Sequence, residues 1–516
     1  MEAGAAGTSA EGTAGPSLDG TAVVVGGGIS GLLAAREFAR AGVRTTVLEA
    51  GDAWGGCVGS HAVAGLTLDS GAESFATRTA AVADLAAELG IADEIVVPNP
   101  GGAWVQLPDG PRELPRTGVL GIPASPWDPE VRRSLGLLGS LRASIDAVLP
   151  ASLGTAAEAT SVSALVRRRM GRRVLDRLVA PVVGGVHSAD PAVLDVDMVA
   201  PGLRAGIRQH GSLAAAVAAQ RRGAPSAAAG ITATADAAGP AKVQSGGLQK
   251  AGSAVAGLRG GMNTLVAALL ADLRQRGVTL LSGTRARSVH RTAGGWRVTT
   301  DQAAYDAGLL VVAVEGPAAV GLLEEVLPEL AALRPDAGPD VSLVTLVVDL
   351  PALDRAPRGT GVLVAPQSPG VQAKALTHAT AKWAWLADRT GPGRHVLRLS
   401  YGRGVAPGGT HGGSPDSRGP GAAAPRSDDE LFNAALADAS ALLAVPVSAG
   451  EVAGWDVVRW GGALPFASLG HKQRVEAVRS ICAADGTLAV VGGWLSGNGL
   501  AAIVADTPRQ VRSLLP

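Results

Sequence analysis

A chain of 516 residues, 47% hydrophobic and 17% charged, can bury the cores of two or three domains without disulfides or structural metal. Its 45 basic side chains balance 45 acidic ones, so no long-range field draws nucleic acid or an anionic membrane, and only a local basic patch stays open. Two cysteines far apart, Cys57 and Cys482, exclude a disulfide scaffold or a zinc site built on cysteine pairs, and the whole reads as a soluble α/β enzyme of a reducing compartment.

Residues 1–20 are small and polar, with neither a basic nor an apolar leader region, and are expected to be a disordered tail. Thr21–Val25 is a short β-branched run, expected as a strand, and GGGISG follows it at once. Leu32 to Ala41 reads as a helix and Arg44–Leu48 as a second strand ending at Glu49. Gly26 permits the tight turn, Gly28 a close approach to pyrophosphate, and Gly31 close packing of helix on strand. Ile29 and Ser30, among the glycines ahead of that helix, are taken as cofactor contacts, since the helix's N-terminal N–H groups and dipole suit phosphates. Glu49 stands 23 positions after Gly26, where a carboxylate accepts ribose hydroxyls, and Ala50 adjoins it. Strand, glycine turn, helix, strand and acid in register predict a dinucleotide site.

The next segment, EAGDAWGGCVGSHAVAGLTLDSGAESF, carries a second glycine pair, Gly55–Gly56, and a small-residue cluster, Asp69–Ser74, after a hairpin-like stretch. A nicotinamide domain would proceed to another helix instead. Here the sequence resembles the flavin-containing amine oxidase superfamily, and within it the protoporphyrinogen and coproporphyrinogen III oxidases. The resemblance implies FAD, held at Gly55, Gly56 and Cys57 and, near the flavin ring, at Gly71, Ala72, Glu73 and Ser74. That superfamily usually has Arg or Lys where this chain has Cys57, so only a backbone contact is carried over there.

The resemblance recurs to the C-terminus. PVVGGVHSADP at Pro181–Pro191, LRGGMNTL at Leu258–Leu265, GVTLLSGTRARSV at Gly277–Val289, VRWGGALPFASLGHKQRV at Val458–Val475 and LAVVGGWLSGNGLAAIVAD at Leu488–Asp506 are all similar to family segments. It implies that Ala286 meets the adenine through its backbone and that Trp460 lies near the flavin. Gly497 and Gly499 precede an apolar helix beginning near Leu500, and in the resembled family such a helix points its dipole at the O2/N1 edge of the flavin, which implies cofactor contacts at Asn498, Gly499 and Leu500. Arg78 is the first candidate for substrate contact, since tetrapyrrole carboxylates call for cations at a cleft mouth, and the resemblance places His187 near the cleft as the second. Arg167–Arg169 with Arg172 and Arg173 read as a solvated helical face, with attraction of carboxylates or lipid headgroups as the lesser alternative.

The expected fold is an α/β, two-domain, Rossmann-like flavoprotein. Its FAD domain is discontinuous (21–100, 255–315 and 450–516), and a mixed sheet and helical substrate domain comes from 101–254 and 316–449. Helices are expected near 128–225 and mixed sheet near 340–400, with surface loops at 221–252 and 402–427. The implied reaction is six-electron oxidation of coproporphyrinogen III to coproporphyrin III by O2, with release of H2O2, in haem biosynthesis. Protoporphyrinogen IX is the other substrate. An amine oxidase, an isoprenoid desaturase and a non-catalytic escort protein are the rival classes. No general base is assigned, because pyrrole nitrogens can shed protons to water. The partners expected are the porphyrinogen and O2, with hand-off to a ferrochelatase-type enzyme and no nucleic acid. No run reaches the ~20 apolar residues of a membrane span, so a cytoplasmic location is expected and peripheral membrane contact is left open.

Overall fold

The computed structural model describes residues 20–115, 119–156, 160–223, 255–402, 426–462, 467–497 and 499–515. The N-terminal tail, most of both expected loops and Asn498 lie outside the described residues.

Five short strands form a parallel sheet: β1 (Thr21–Val25), β2 (Arg44–Leu48), β3 (Thr279–Leu281), β4 (Leu309–Val312) and β5 (Leu488–Val490), in the order β3-β2-β1-β4-β5. The near-continuous apolar sequences of β1, β4 and β5 follow from burial on both faces. Ala22 and Val24 of β1 point into a core with α1 (Ile29–Arg40), α2 (Asn263–Gln275) and α4 (Leu500–Arg512). Val23 and Val25 point the other way, against the antiparallel strands 286–307 and α3 (His471–Asp485). The period of two therefore assigns one layer to each face.

A second sheet has seven strands, in the order 452–460, 341–349, 394–401, 375–378, 361–364, 104–107, 110–113. Leu346, Leu397 and Leu399 face the helix Asp428–Leu443, whose start is fixed by a Ser427–Glu430 capping box. A helical cluster between 129 and 223 forms a third core, and helix Ala180–His187 brings Gly185 against Leu363 of the seven-stranded sheet.

The chain is thus an α/β two-body protein with a discontinuous nucleotide-type sheet, but two boundaries differ from the sequence expectation. Val452–Trp460 pairs antiparallel with Val341–Asp349 in the second sheet, so the return to the parallel sheet comes after 460. Helix Gly316–Leu323 packs its Ala319, Val320 and Leu323 under the parallel sheet, so the second segment of the second body begins later than 316. An apolar run alone does not say which of two sheets a strand joins, because both offer the same pleated surface.

The arginine cluster is also not one solvated face. Arg169 is fully buried, its Nε donating to Asp146 Oδ1 at 2.5 Å and its other nitrogens to the carbonyls of Pro150, Leu153, Asp146 and Gly211. Arg167, Arg168, Arg172 and Arg173 are exposed as expected. Beside them, helix Pro129–Ser144 is kinked at Gly136 (φ +70°) and turns small residues inward, Gly139, Ser140 and Ala143, while Leu137, Leu138 and Leu141 point out.

Candidate functional site

The glycine turn after β1 has a steric basis at two positions. A Cβ on Gly31 would stand 1.8 Å from the Gly26 carbonyl oxygen, so helix and strand approach this closely only without one. Gly26 has φ +107°, which a side chain would strain, and its N–H donates to Leu48 O at 2.8 Å. Gly28 caps α1 with no side-chain bond, and the direction of its missing Cβ is open space. The first N–H groups of α1, from Ile29 and Ser30 on, therefore face whatever lies ahead of the helix.

The second glycine pair closes on the first. Gly55 N–H donates to Gly27 O at 2.9 Å, and a Cβ on Gly56 would be 3.4 Å from Gly28 Cα. Cys57 continues the contact through its backbone, its carbonyl accepting Ala72 N–H at 2.8 Å. A Cβ on Gly71 would lie 2.1 Å from that same carbonyl oxygen. Although Cys57 has exposed surface, the protein around its sulfur and then the Glu315 carboxylate push the thiol up, away from reactive thiolate.

Glu49 ends β2 as a brace. Its Oε2 accepts Gly27 N–H at 2.7 Å and its Oε1 accepts Gly51 N–H at 2.6 Å. Thr284 N–H donates to Glu49 O at 2.7 Å, which brings the strand that begins at Ala286 alongside. Ala50 is exposed beside the carboxylate. Each carboxylate oxygen retains a lone pair for a ribose hydroxyl. An uncapped helix start, an open Gly28 and a braced acid fit a dinucleotide with an unphosphorylated ribose.

The other end of the chain meets this turn. Gly499 caps α4 without a side-chain bond and with open space where a Cβ would stand, and Leu500 shares the buried cluster of Ile29. Helices α1 and α4 pack along each other, and Arg512 Nε donates to Glu37 Oε2 at 2.7 Å. The two glycine-started helices that the sequence assigned to one cofactor are neighbours.

The strip Asp69–Ser74 is held from the seven-stranded sheet. Trp460 Nε1 donates to Ser70 O at 2.8 Å. Arg398 donates to Gly71 O at 2.7 Å and Asp69 O at 3.3 Å, and its other terminal nitrogen is 3.0 Å from Glu73 Oε2. Lys382 binds the second oxygen of Glu73. Burial alone would raise the Glu73 carboxyl, but the Lys382 and Arg398 cations overcome it and hold it down at about 2. Burial pushes Asp69 the other way, up to about 7, against the pull of Arg398 and of the Met262 N–H that Oδ1 accepts at 2.8 Å. Sequence reading missed Lys382 and Arg398. The available signal was a charged residue placed between the buried Leu397 and Leu399.

The two substrate candidates are not brought together by any contact. Arg78 is exposed just beyond strand Phe75–Ala76 and has no ion-pair partner among the described residues. His187 ends helix Ala180–His187, and burial pushes it down to about 4, so it is a neutral hydrogen-bonding group at neutral pH.

Residues 29–505 match the family described as flavin containing amine oxidoreductase. The chain is 31% identical over 94% of its length to coproporphyrinogen III oxidase of Propionibacterium freudenreichii subsp. freudenreichii, covering 88% of that protein. It is 30% identical over 95% of its length to the Mycobacterium leprae protein of that name, covering 97% of it. The fold is shared with a crystal structure from Exiguobacterium sp. 255-15 provisionally assigned as a protoporphyrinogen oxidase (TM-score 0.74, 23% identity, 96% of this chain and 98% of that one). It is also shared with cyclohexylamine oxidase from Brevibacterium oxydans IH-35A (TM-score 0.59, 16% identity, 97% and 99%). The chain belongs to the flavin containing amine oxidoreductase family and is a flavin-dependent oxidoreductase.

Proposed function

We propose that this chain oxidises coproporphyrinogen III to coproporphyrin III in haem synthesis, with FAD as its flavin and O2 as acceptor. The observation that carries this reading is that coproporphyrinogen III oxidases match nearly the whole chain, while its glycine cradle and Glu49 suit a dinucleotide with a bare ribose. When bound, FAD supplies the two-electron redox chemistry. Six electrons and six protons leave the macrocycle, so three turnovers reduce three O2 to three H2O2.

The residues then have distinct tasks. The N-terminus of α1 with Gly28 and Gly56 receives the pyrophosphate, Glu49 the ribose, and Ala286 the adenine edge. The strip Gly71–Ser74, Trp460 and the start of α4 at Gly499 and Leu500 bound the ring. Arg78 holds a substrate carboxylate at the rim, and His187 donates or accepts a hydrogen bond as a neutral imidazole. Orientation of one macrocycle C–H toward the ring is the protein's main contribution. Protons leave through the pyrrole nitrogens to water.

The working location is the cytoplasm, with product passed to a ferrochelatase-type enzyme. No helix among the described residues is long and apolar enough to cross a membrane. Among the described residues, the candidate surface for peripheral contact is the outward stripe Leu137, Leu138, Leu141, Ile145 and Val148, with exposed Arg132 and Arg133 earlier on helix Pro129–Ser144.

The deciding experiment supplies purified protein with coproporphyrinogen III or protoporphyrinogen IX and follows porphyrin fluorescence together with oxygen consumption. Faster turnover of the four-carboxylate substrate, with three O2 consumed per porphyrin, is expected. A strong preference for the two-carboxylate substrate would overturn the substrate assignment.

A further inference from the structure

We propose that Arg398 is a positioning residue for the flavin: with Lys382 and Glu73 it fixes the strip Asp69–Ser74 and sets the charge presented to the ring from the seven-stranded sheet. This rests on the reading of that strip as flavin-facing, and extends it to residues outside every motif that pointed to the cofactor.

The geometry is a continuous chain of short contacts. Arg398 holds the carbonyls of Gly71 and Asp69. Gly71 and Ala72 press on the carbonyl of Cys57, and the preceding Gly56 reaches Gly28 at the start of α1. A shift of the Arg398 guanidinium therefore moves backbone at both the strip and the phosphate turn, because none of these contacts has a side chain that could absorb it. Only a planar fork spans the acceptors at once, two carbonyls through one terminal nitrogen and a carboxylate through the other.

The charge balance points to a ligand as well. Two cations, each with a side chain 15% exposed, face one firmly ionised carboxylate, Glu73. Asp69, the other carboxylate beside Arg398, is pushed up to about 7 and neutralises the remaining cation only in part near neutral pH. Lys382 also lies 5.0 Å over the Trp383 ring, so the surplus falls on Arg398, and positive charge taken out of water is costly unless something electron-rich lies against it. A flavin that gathers negative charge on reduction answers that requirement.

The test compares wild type with Arg398→Met, Arg398→Lys and Glu73→Gln. It measures FAD dissociation constants by titrating the deflavo-protein, flavin midpoint potentials, flavin absorption spectra and thermal midpoints. Arg398→Met is expected to weaken FAD binding about tenfold or more and to lower the midpoint potential, since a cation is removed. Glu73→Gln removes an anion and is expected to raise the potential. Arg398→Lys restores the potential more than the affinity, because charge returns without the fork. Opposite shifts cannot come from loosened packing alone. Potentials unchanged, or displaced in the same direction in both variants, would overturn the proposal even where thermal stability falls. If Arg398→Met does not fold, the sign of the Glu73→Gln shift decides it. Failure of wild type itself to bind FAD would instead reject the reading beneath.

Discussion

Glu49 accepts the Gly27 N–H through Oε2 at 2.7 Å, so the acid at the end of β2 braces the glycine turn at the end of β1. Glu49→Gln keeps the size but leaves one oxygen for two backbone donors. On the proposed reading of the cofactor as FAD, it is expected to weaken flavin binding by about 10- to 100-fold, the range for lost charge-assisted hydrogen bonds. Titration of the deflavo-protein with FAD, followed by quenching of flavin fluorescence, checks this.

Gly31→Ala places a methyl group 1.8 Å from the Gly26 carbonyl oxygen, and that oxygen belongs to backbone. Helix α1 must move off β1, which is expected to cost about 1–3 kcal/mol and to empty the flavin site. Thermal unfolding and the flavin-to-protein absorbance ratio of the purified variant measure both effects. A fully yellow protein with unchanged unfolding would contradict the steric reading.

Arg169→Met strands the buried Asp146 carboxylate, which also accepts Ala214 N–H at 2.8 Å. A loss of about 3–5 kcal/mol is expected. Exposed Arg168→Met should stay within about 0.5 kcal/mol. Urea unfolding of the two variants side by side separates the buried arginine from its solvated neighbour.

Asp69 gives stability a particular pH dependence. Its folded value is raised from an ordinary 3.8 to about 7, so between those values the folded state holds a proton that the unfolded state has lost. Its contribution therefore declines as pH rises through that window and is flat above it. Glu73 acts oppositely, its contribution being lost as pH falls from an ordinary 4.5 toward about 2. Asp69→Asn can still accept the Met262 N–H and is expected to gain stability relative to wild type at pH 8 but not at pH 4. Denaturant midpoints across that range would refute the assignment if the two proteins ran parallel.

The outward stripe on helix Pro129–Ser144 predicts binding to vesicles of anionic lipid, weakened by salt. Leu138 is 73% exposed, so Leu138→Glu should abolish co-sedimentation while leaving the unfolding transition in place. Equal sedimentation of variant and wild type would remove this surface from consideration.

The nucleotide half was legible because its signals are local. Thr21–Val25, the glycine turn, the helix, Arg44–Leu48 and Glu49 lie within one stretch, and the strands fall where the apolar periodicity put them. A positive φ or a vanishing side-chain allowance at Gly26 and Gly31 is written in residue type itself. The motif near the C-terminus was legible for the same reason, as strand, glycine turn and helix in sequence.

What only the tertiary structure decided was pairing across distance. Whether Val452–Trp460 joined the five-stranded parallel sheet or the seven-stranded mixed sheet, which of five neighbouring arginines was buried, and which cations would face Glu73 all depend on contacts between remote segments. Periodicity specifies which face of an element is apolar. It carries no information about the element that will cover that face, because burial rewards any matching surface alike. Arg398 and Trp460 acquire their tasks only when the second sheet closes over the strip Asp69–Ser74, and no spacing within the chain encodes that closure.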